Sequence, residues 1–227
     1  MVTSRMFPFI TKTWNPLGGE CQHKCSYCWA QGPNGLVEKR KMTKYRGKPR
    51  LIAGELGRLW KPTDFIFVED MSDLFGSYVP WDLVHQVLVK IGRTKGTFLL
   101  LTKNPKRYGE FKIPENCVCG STIETDIDFG LTMAPYPSDR LYEMIHLKYP
   151  RKMVSVEPVQ DFNLDYFAGL IIQIRPEFVA VGYDNYDNKL PEPSLAKTMQ
   201  LIDRLEKAGI TVYSKTLREA WNERKGS

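Results

Sequence analysis

GTFLLLT, residues 96–102, is the stretch on which the fold turns. Phe98, Leu99, Leu100 and Leu101 run unbroken, without the alternation of a strand that shows one face to water. An unbroken apolar run fits a parallel strand covered by other elements on both faces. Six further runs share this character: FPFITKTW (7–14), DFIFVED (64–70), CVCGSTIE (117–124), KMVSVEP (152–158), FVAVGY (178–183) and ITVYSK (210–215). Helical patterns lie between them. In SLAKTMQLIDRLEKAGI, Leu195, Met199, Ile202 and Leu205 form one stripe, Ser194 stands ready as N-cap and Gly209 as the stop. PWDLVHQVLVKIG (80–92) and SDRLYEMIHLKY (138–149) repeat the pattern. Strand and helix in alternation predict an α/β fold with a mostly parallel sheet. Six or seven units in about 200 residues fit a partial (β/α)6, TIM-like barrel better than a complete eight-unit one. No linker, low-complexity segment or repeat interrupts residues 1–227, so one domain is expected, with its chemistry at the carboxyl ends of the strands.

The chain has 227 residues, 42% hydrophobic and 26% charged, an ordinary soluble balance. No apolar run approaches the roughly 20 residues of a membrane span, and no membrane partner is expected. MVTSRMFPFITKTW lacks the long apolar core of an export signal, so a cytoplasmic location is expected. The net charge is +6, and the excess is concentrated in EKRKMTKYRGKPR (38–50), with seven basic residues against one acidic. Such a stretch either contacts phosphates or is a solvated, mobile loop. Five cysteines is an odd number, which favours metal or redox chemistry over a disulfide framework. Cys117 and Cys119 share one face of a strand and read as core.

The other three cysteines, Cys21, Cys25 and Cys28, lie in GGECQHKCSYCWAQ (18–31), directly after the first strand. Thiolates at short spacing bind zinc or iron–sulfur clusters. Structural zinc usually takes four ligands. His23 would complete a Cys3His set, but it stands only two residues from both Cys21 and Cys25, which strains ligation and favours a spectator role. A zinc-binding nucleic-acid module without catalysis is therefore the rival reading. A third is a nucleotide- or metabolite-binding barrel with incidental cysteines.

Cys-x3-Cys-x2-Cys after the first strand, with Tyr27 before the last cysteine, resembles the radical S-adenosylmethionine (radical SAM) superfamily. The wider stretch TWNPLGGECQHKCSYCWA is similar to the spore photoproduct lyase-like branch and to short phage-associated members. The resemblance implies that Cys21, Cys25 and Cys28 hold a [4Fe–4S] cluster whose open iron takes the amino and carboxylate groups of S-adenosylmethionine. It implies an enzyme that cleaves that cofactor to a 5′-deoxyadenosyl radical, a low-potential electron donor of flavodoxin or ferredoxin type, and Tyr27 beside the adenine. The net positive charge, the basic segment and the likeness to these two groups make a nucleic-acid base or nucleotide the first expectation for the substrate, with a peptide or small metabolite also open. GGE at 18–20 precedes the cysteines, so the ammonium-binding role of the superfamily's Gly-Gly-Glu is not transferred to it. Strand ends supply the other candidates. Asp70, Ser72 or Asp73 would bind the ammonium, although Ser72 or Asp73 also suits a helix cap. Lys103 would pair with the carboxylate or sit on an exposed loop. Ser121 and Glu124 occupy positions where the superfamily often contacts the ribose. Glu157 is costly to bury unpaired, which makes it a site candidate, and Lys215 would pair with it or bind substrate; these two are the expected catalytic pair.

Overall fold

A computed structural model describes residues 7–32 and 34–223. The first six residues, part of the stretch read for an export signal, lie outside the described residues. The strands are β1 Lys12–Trp14, β2 Leu17–Gly18, β3 Arg50–Leu51, β4 Phe65–Val68, β5 Thr97–Thr102, β6 Cys117–Thr122, β7 Lys152–Val156, β8 Phe178–Gly182 and β9 Thr211–Lys215. Seven of them form one sheet in the order β1-β4-β5-β6-β7-β8-β9, every neighbouring pair parallel. All seven sequence-predicted strands are present, in chain order. The α/β partial barrel is thus borne out, with one strand more than a six-unit barrel.

The sheet curls into a half-barrel. Phe9 packs against Phe65 of β4 at 5.2 Å, Phe178 of β8 at 4.7 Å and Tyr213 of β9 at 5.0 Å between ring centroids. One side chain meets both ends of the sheet only if those ends have turned towards each other. The first strand is shorter than expected, because residues 7–10 form a turn closed by Ile10 N–H on the Phe7 carbonyl. This turn feeds Phe7 and Phe9 into the barrel, where Phe67, Leu99, Val118, Met153, Phe178 and Ala180 complete an apolar plug. The larger core lies outside the sheet, between it and the helices. Cys117 and Cys119 are buried there, as expected of core thiols.

The helices are α1 Leu36–Lys39, α2 Ala53–Leu56, α3 Trp81–Gly92, α4 Pro137–His146, α5 Leu164–Ile174 and α6 Leu195–Lys207. The three quoted helical patterns match α3, α4 and α6, and the Ser194 hydroxyl caps α6 by accepting the Lys197 N–H. Met199, placed on the core stripe above, is 46% exposed. The buried face is Thr198, Leu201, Ile202 and Leu205, and Met199 stands about 100° round the helix from Thr198. His85 and His146 are exposed on their helices.

The crossover from β1 to β4 carries no long helix. It holds β2, the cysteine loop, α1, a short 3-10 turn, β3, which pairs antiparallel with β2, and then α2. The glycines that lead into the cysteine loop allow a close backbone approach: a Cβ on Gly18 would lie 2.5 Å from the Lys44 carbonyl, and one on Gly19 (φ +114°) 2.8 Å from the Lys48 carbonyl. They let the cysteine loop lie flat against the basic stretch. No helix among the described residues is long and apolar enough to cross a membrane.

Candidate functional site

Strand alternation decides what reaches the barrel interior. Following the plug residues upward, the carboxyl ends of the strands present Glu69 after Phe67, Lys103 after Leu101, Glu124 after Thr122, Glu157 after Ser155 and Lys215 after Tyr213. Above the plug is a cavity of about 430 Å³. Cys21, Cys25, Tyr27, Cys28, Asp70, Ser72, Asp73, Lys103, Glu157 and Lys215 all line it. Ser121 does not: it is one residue out of phase, fully buried, and its hydroxyl donates to the Thr102 carbonyl. Glu124 stands just behind the wall.

Two buried carboxylates fasten the cysteine loop to the sheet. Glu124 accepts the Tyr27 hydroxyl at 2.5 Å and Arg140 at 2.6 Å, and it also pairs with Lys103. Burial alone would raise its pKa, but Lys103 and Arg140 hold the carboxyl well below the usual carboxylate range. Asp73 accepts His23 Nε2 at 2.7 Å, the Thr102 hydroxyl at 2.9 Å, and the Lys103 and Phe75 backbone N–H groups, both at 2.9 Å. Burial pushes Asp73 up as well, but these donors, His23 foremost, bring it below its ordinary value. With so many bonds made internally, Asp73 is a brace for the loop. His23, sealed against it, is a brace too.

The three thiols face one cavity without pairing with each other. Cys21 Sγ lies 3.2 Å from the Tyr78 hydroxyl, Cys25 Sγ 3.2 Å from the Thr132 hydroxyl, and Cys28 Sγ 3.2 Å from the Gln31 N–H. Burial pushes the Cys21 thiol up to about 12 and raises Cys25, so both hold their protons near neutral pH unless a positive centre displaces them. Among the described residues, no three His, Cys, Asp or Glu side chains gather as a site for one metal ion. A Cys3His zinc site would draw four ligands to one ion at about 2.0–2.3 Å each, and His23 Nε2 is taken up by Asp73 at 2.7 Å instead. Three thiols facing one cavity form an all-sulfur donor set, the soft kind that an iron–sulfur centre takes.

Glu69, absent from the sequence candidates, also lines the cavity. Its backbone is left-handed (φ +58°), one carboxyl oxygen accepts the Leu17 N–H at 2.6 Å, and the other is buried without a partner. Burial pushes it up to about 8. The signal was there in FIFVED: Glu69 is in phase with Phe65 and Phe67. Across the cavity Glu157 pairs with Lys215 at 2.9 Å, and burial keeps Glu157 above its ordinary value despite the ammonium. Trp29 and Tyr186 stand on the rim, 37% and 42% exposed. Trp29 is therefore no part of the core.

A family model described as "Protein of unknown function (DUF5131)" matches residues 5–182, most of the chain. The chain belongs to the DUF5131 family. No curated protein sequence matches it. Among solved structures, SuiB of Streptococcus suis bound to S-adenosylmethionine superposes with a TM-score of 0.61 at 12% identity, covering 96% of this chain and 54% of that one. SuiB bound to the precursor peptide SuiA gives 0.57 at 11% identity, covering 91% and 49%. The DUF5131 chain thus shares the fold of SuiB and spans about half its length.

Proposed function

We propose that this DUF5131 protein is a radical SAM enzyme: it binds a [4Fe–4S] cluster and S-adenosylmethionine and abstracts hydrogen from a substrate. The observation that carries this reading is the convergence of Cys21, Cys25 and Cys28 on one cavity at the carboxyl ends of a parallel half-barrel. The fold shared with a structure bound to S-adenosylmethionine supports it. When bound, the cluster supplies an open iron for the cofactor's amino and carboxylate groups and the electron that splits its sulfonium. An external low-potential protein of flavodoxin or ferredoxin type supplies that electron.

The chain's own groups do the rest. The three cysteines hold the cluster. Asp73 and Glu124 fix the loop that carries them, through His23 and Tyr27. Glu69 has one unpartnered oxygen beside the cavity, freer than those of Asp73 or of Asp70, which accepts Asn15 Nδ2 at 2.6 Å; an ammonium bound there would supply the positive charge that its carboxyl lacks and so ionise it. Lys103, already bound to Glu124 and over the Tyr27 ring, acts as part of the wall. Glu157 and Lys215 face the space left for the reacting group and hold it in place.

Anaerobic reconstitution with iron and sulfide, followed by dithionite and S-adenosylmethionine, tests the proposal. The expected result is a brown protein with close to four irons and four sulfides per chain that releases 5′-deoxyadenosine. Cys25→Ala should lose both colour and product. A colourless protein with one zinc per chain would overturn the reading.

A further inference from the structure

The net charge of the whole chain resides in one segment. Residues 38–50 carry seven basic and one acidic side chain, a net of +6, which leaves the remainder with 25 of each sign. The structure packs the apolar residues of this segment against the cavity wall. Val37 and Tyr45 are buried with Ala30 and Met71, and Leu36, Met42 and Cys28 pack on them. Ala30 and Met71 also line the cavity, so the segment and the cavity wall share a core. Lys44 Nζ donates to the Asn15 carbonyl at 2.7 Å, and Arg50 holds the carbonyls of Lys44 and Arg46. Helix α1 grows directly from the cavity rim, with Leu36 N–H on the Trp29 carbonyl at 2.8 Å and Val37 N–H on Ala30 at 2.9 Å.

Apolar side chains thus point inward and cations outward. Lys39, Arg40, Lys41 and Lys48 are exposed and make no ion pair among the described residues. The exposed ring of Trp29 belongs to the residue whose carbonyl accepts the first N–H of α1. Tyr186, on the loop after β8, puts a second exposed ring on the same rim. We infer that this ledge and rim bind single-stranded nucleic acid, the cations tracking its phosphates and the two rings stacking its bases, with one nucleotide entering the cavity. Lone cations would serve any polyanion. Flat rings on the same rim favour nucleic acid, because every base offers a π-face and the carboxylate side chains of an acidic peptide offer none. A cavity of about 430 Å³ that also takes a cofactor admits one unit of a polymer, which must then lie across the mouth. The substrate class deepens the radical SAM reading and rests on it for what happens to the nucleotide. The binding itself does not.

The test therefore uses the full chain without its cluster and reads fluorescence anisotropy of a short labelled single-stranded oligonucleotide over a series of salt concentrations. The triple variant Lys39→Glu, Arg40→Glu, Lys41→Glu should weaken binding by about tenfold or more and make the slope of log affinity against log salt shallower by about 2. Its S-adenosylmethionine cleavage without oligonucleotide, after reconstitution, should be unchanged. Trp29→Ala and Tyr186→Ala should each weaken binding by about 5- to 150-fold and leave the salt slope as it is. Polyglutamate of equal charge should compete poorly. Absence of oligonucleotide binding, equal competition by polyglutamate, or unaltered affinity in both ring variants would overturn the inference, whatever the outcome of the cleavage assay.

Discussion

Glu69 and Glu124 are both fully buried carboxyls at strand ends, and their surroundings push them in opposite directions. Glu69 has one backbone donor and an empty oxygen, and burial raises it from 4.5 to about 8. Between these two values the folded state keeps a proton that the unfolded chain releases. Stability therefore declines as pH rises from about 4.5 to about 8. Glu69→Gln should flatten that decline, read as the difference between variant and parent in urea midpoints across the window; an unchanged slope would show Glu69 ionised in the fold. Glu124 is the contrary case: its stabilisation is complete above the unfolded value near 4.5 and fades only as pH falls to strongly acidic values. Arg140→Met leaves that carboxylate with Lys103 as its one cation beside the Tyr27 hydroxyl and should cost about 3–5 kcal/mol in denaturant unfolding. The sequence exposed these residues unevenly. Glu157 stands out because a carboxylate ending an apolar strand needs a partner, whereas Glu124 was marked by the resemblance, as a ribose contact. Arg140 was silent, since a mid-helix arginine ordinarily faces water. The pairing of His23 with Asp73 spans 50 positions and has no local sign.

The parallel strands were legible because two covered faces demand unbroken apolar runs, and α6 because Ser194 and Gly209 punctuate it. The crossover between β1 and β4 was not, because it is held by a three-way meeting of the cysteine loop, the β2–β3 pair and the basic stretch. Each piece is too short for periodicity to register. Its keystone is Gly19, in a left-handed conformation with the Lys48 carbonyl where a side chain would be. Gly19→Ala should cost more than about 1 kcal/mol, through both strain and the clash. The loss should be local before it is global: trypsin should cut faster among Lys39, Arg40, Lys41 and Lys48, while the far-ultraviolet dichroism of the sheet and long helices is retained. Equal trypsin rates in variant and parent would mean that the apolar contacts of Val37 and Tyr45 hold the crossover without the glycine.

Across the whole molecule the half-barrel divides into a solid floor and a hollow mouth, and its sheet into a protected centre and two unlike edges. β6 and β7 are buried at every residue and paired on both sides. Among the described residues β9 is paired with β8 alone, and its five residues are all exposed or half-buried. Amide exchange should follow this asymmetry. The β6 and β7 amides should exchange only through global unfolding and so report its free energy. Those of β9 should exchange through local opening, markedly faster, and should be insensitive to small amounts of denaturant. The chain spans about half the length of SuiB, so what lies along this edge is a question about the molecule's surroundings as well as its fold. Protection of β9 equal to that of β7 at all protein concentrations would show the edge covered within the chain. Protection that rises with concentration would show it covered by a second copy, because an open strand edge offers unpaired N–H and C=O groups to whatever strand can add to it.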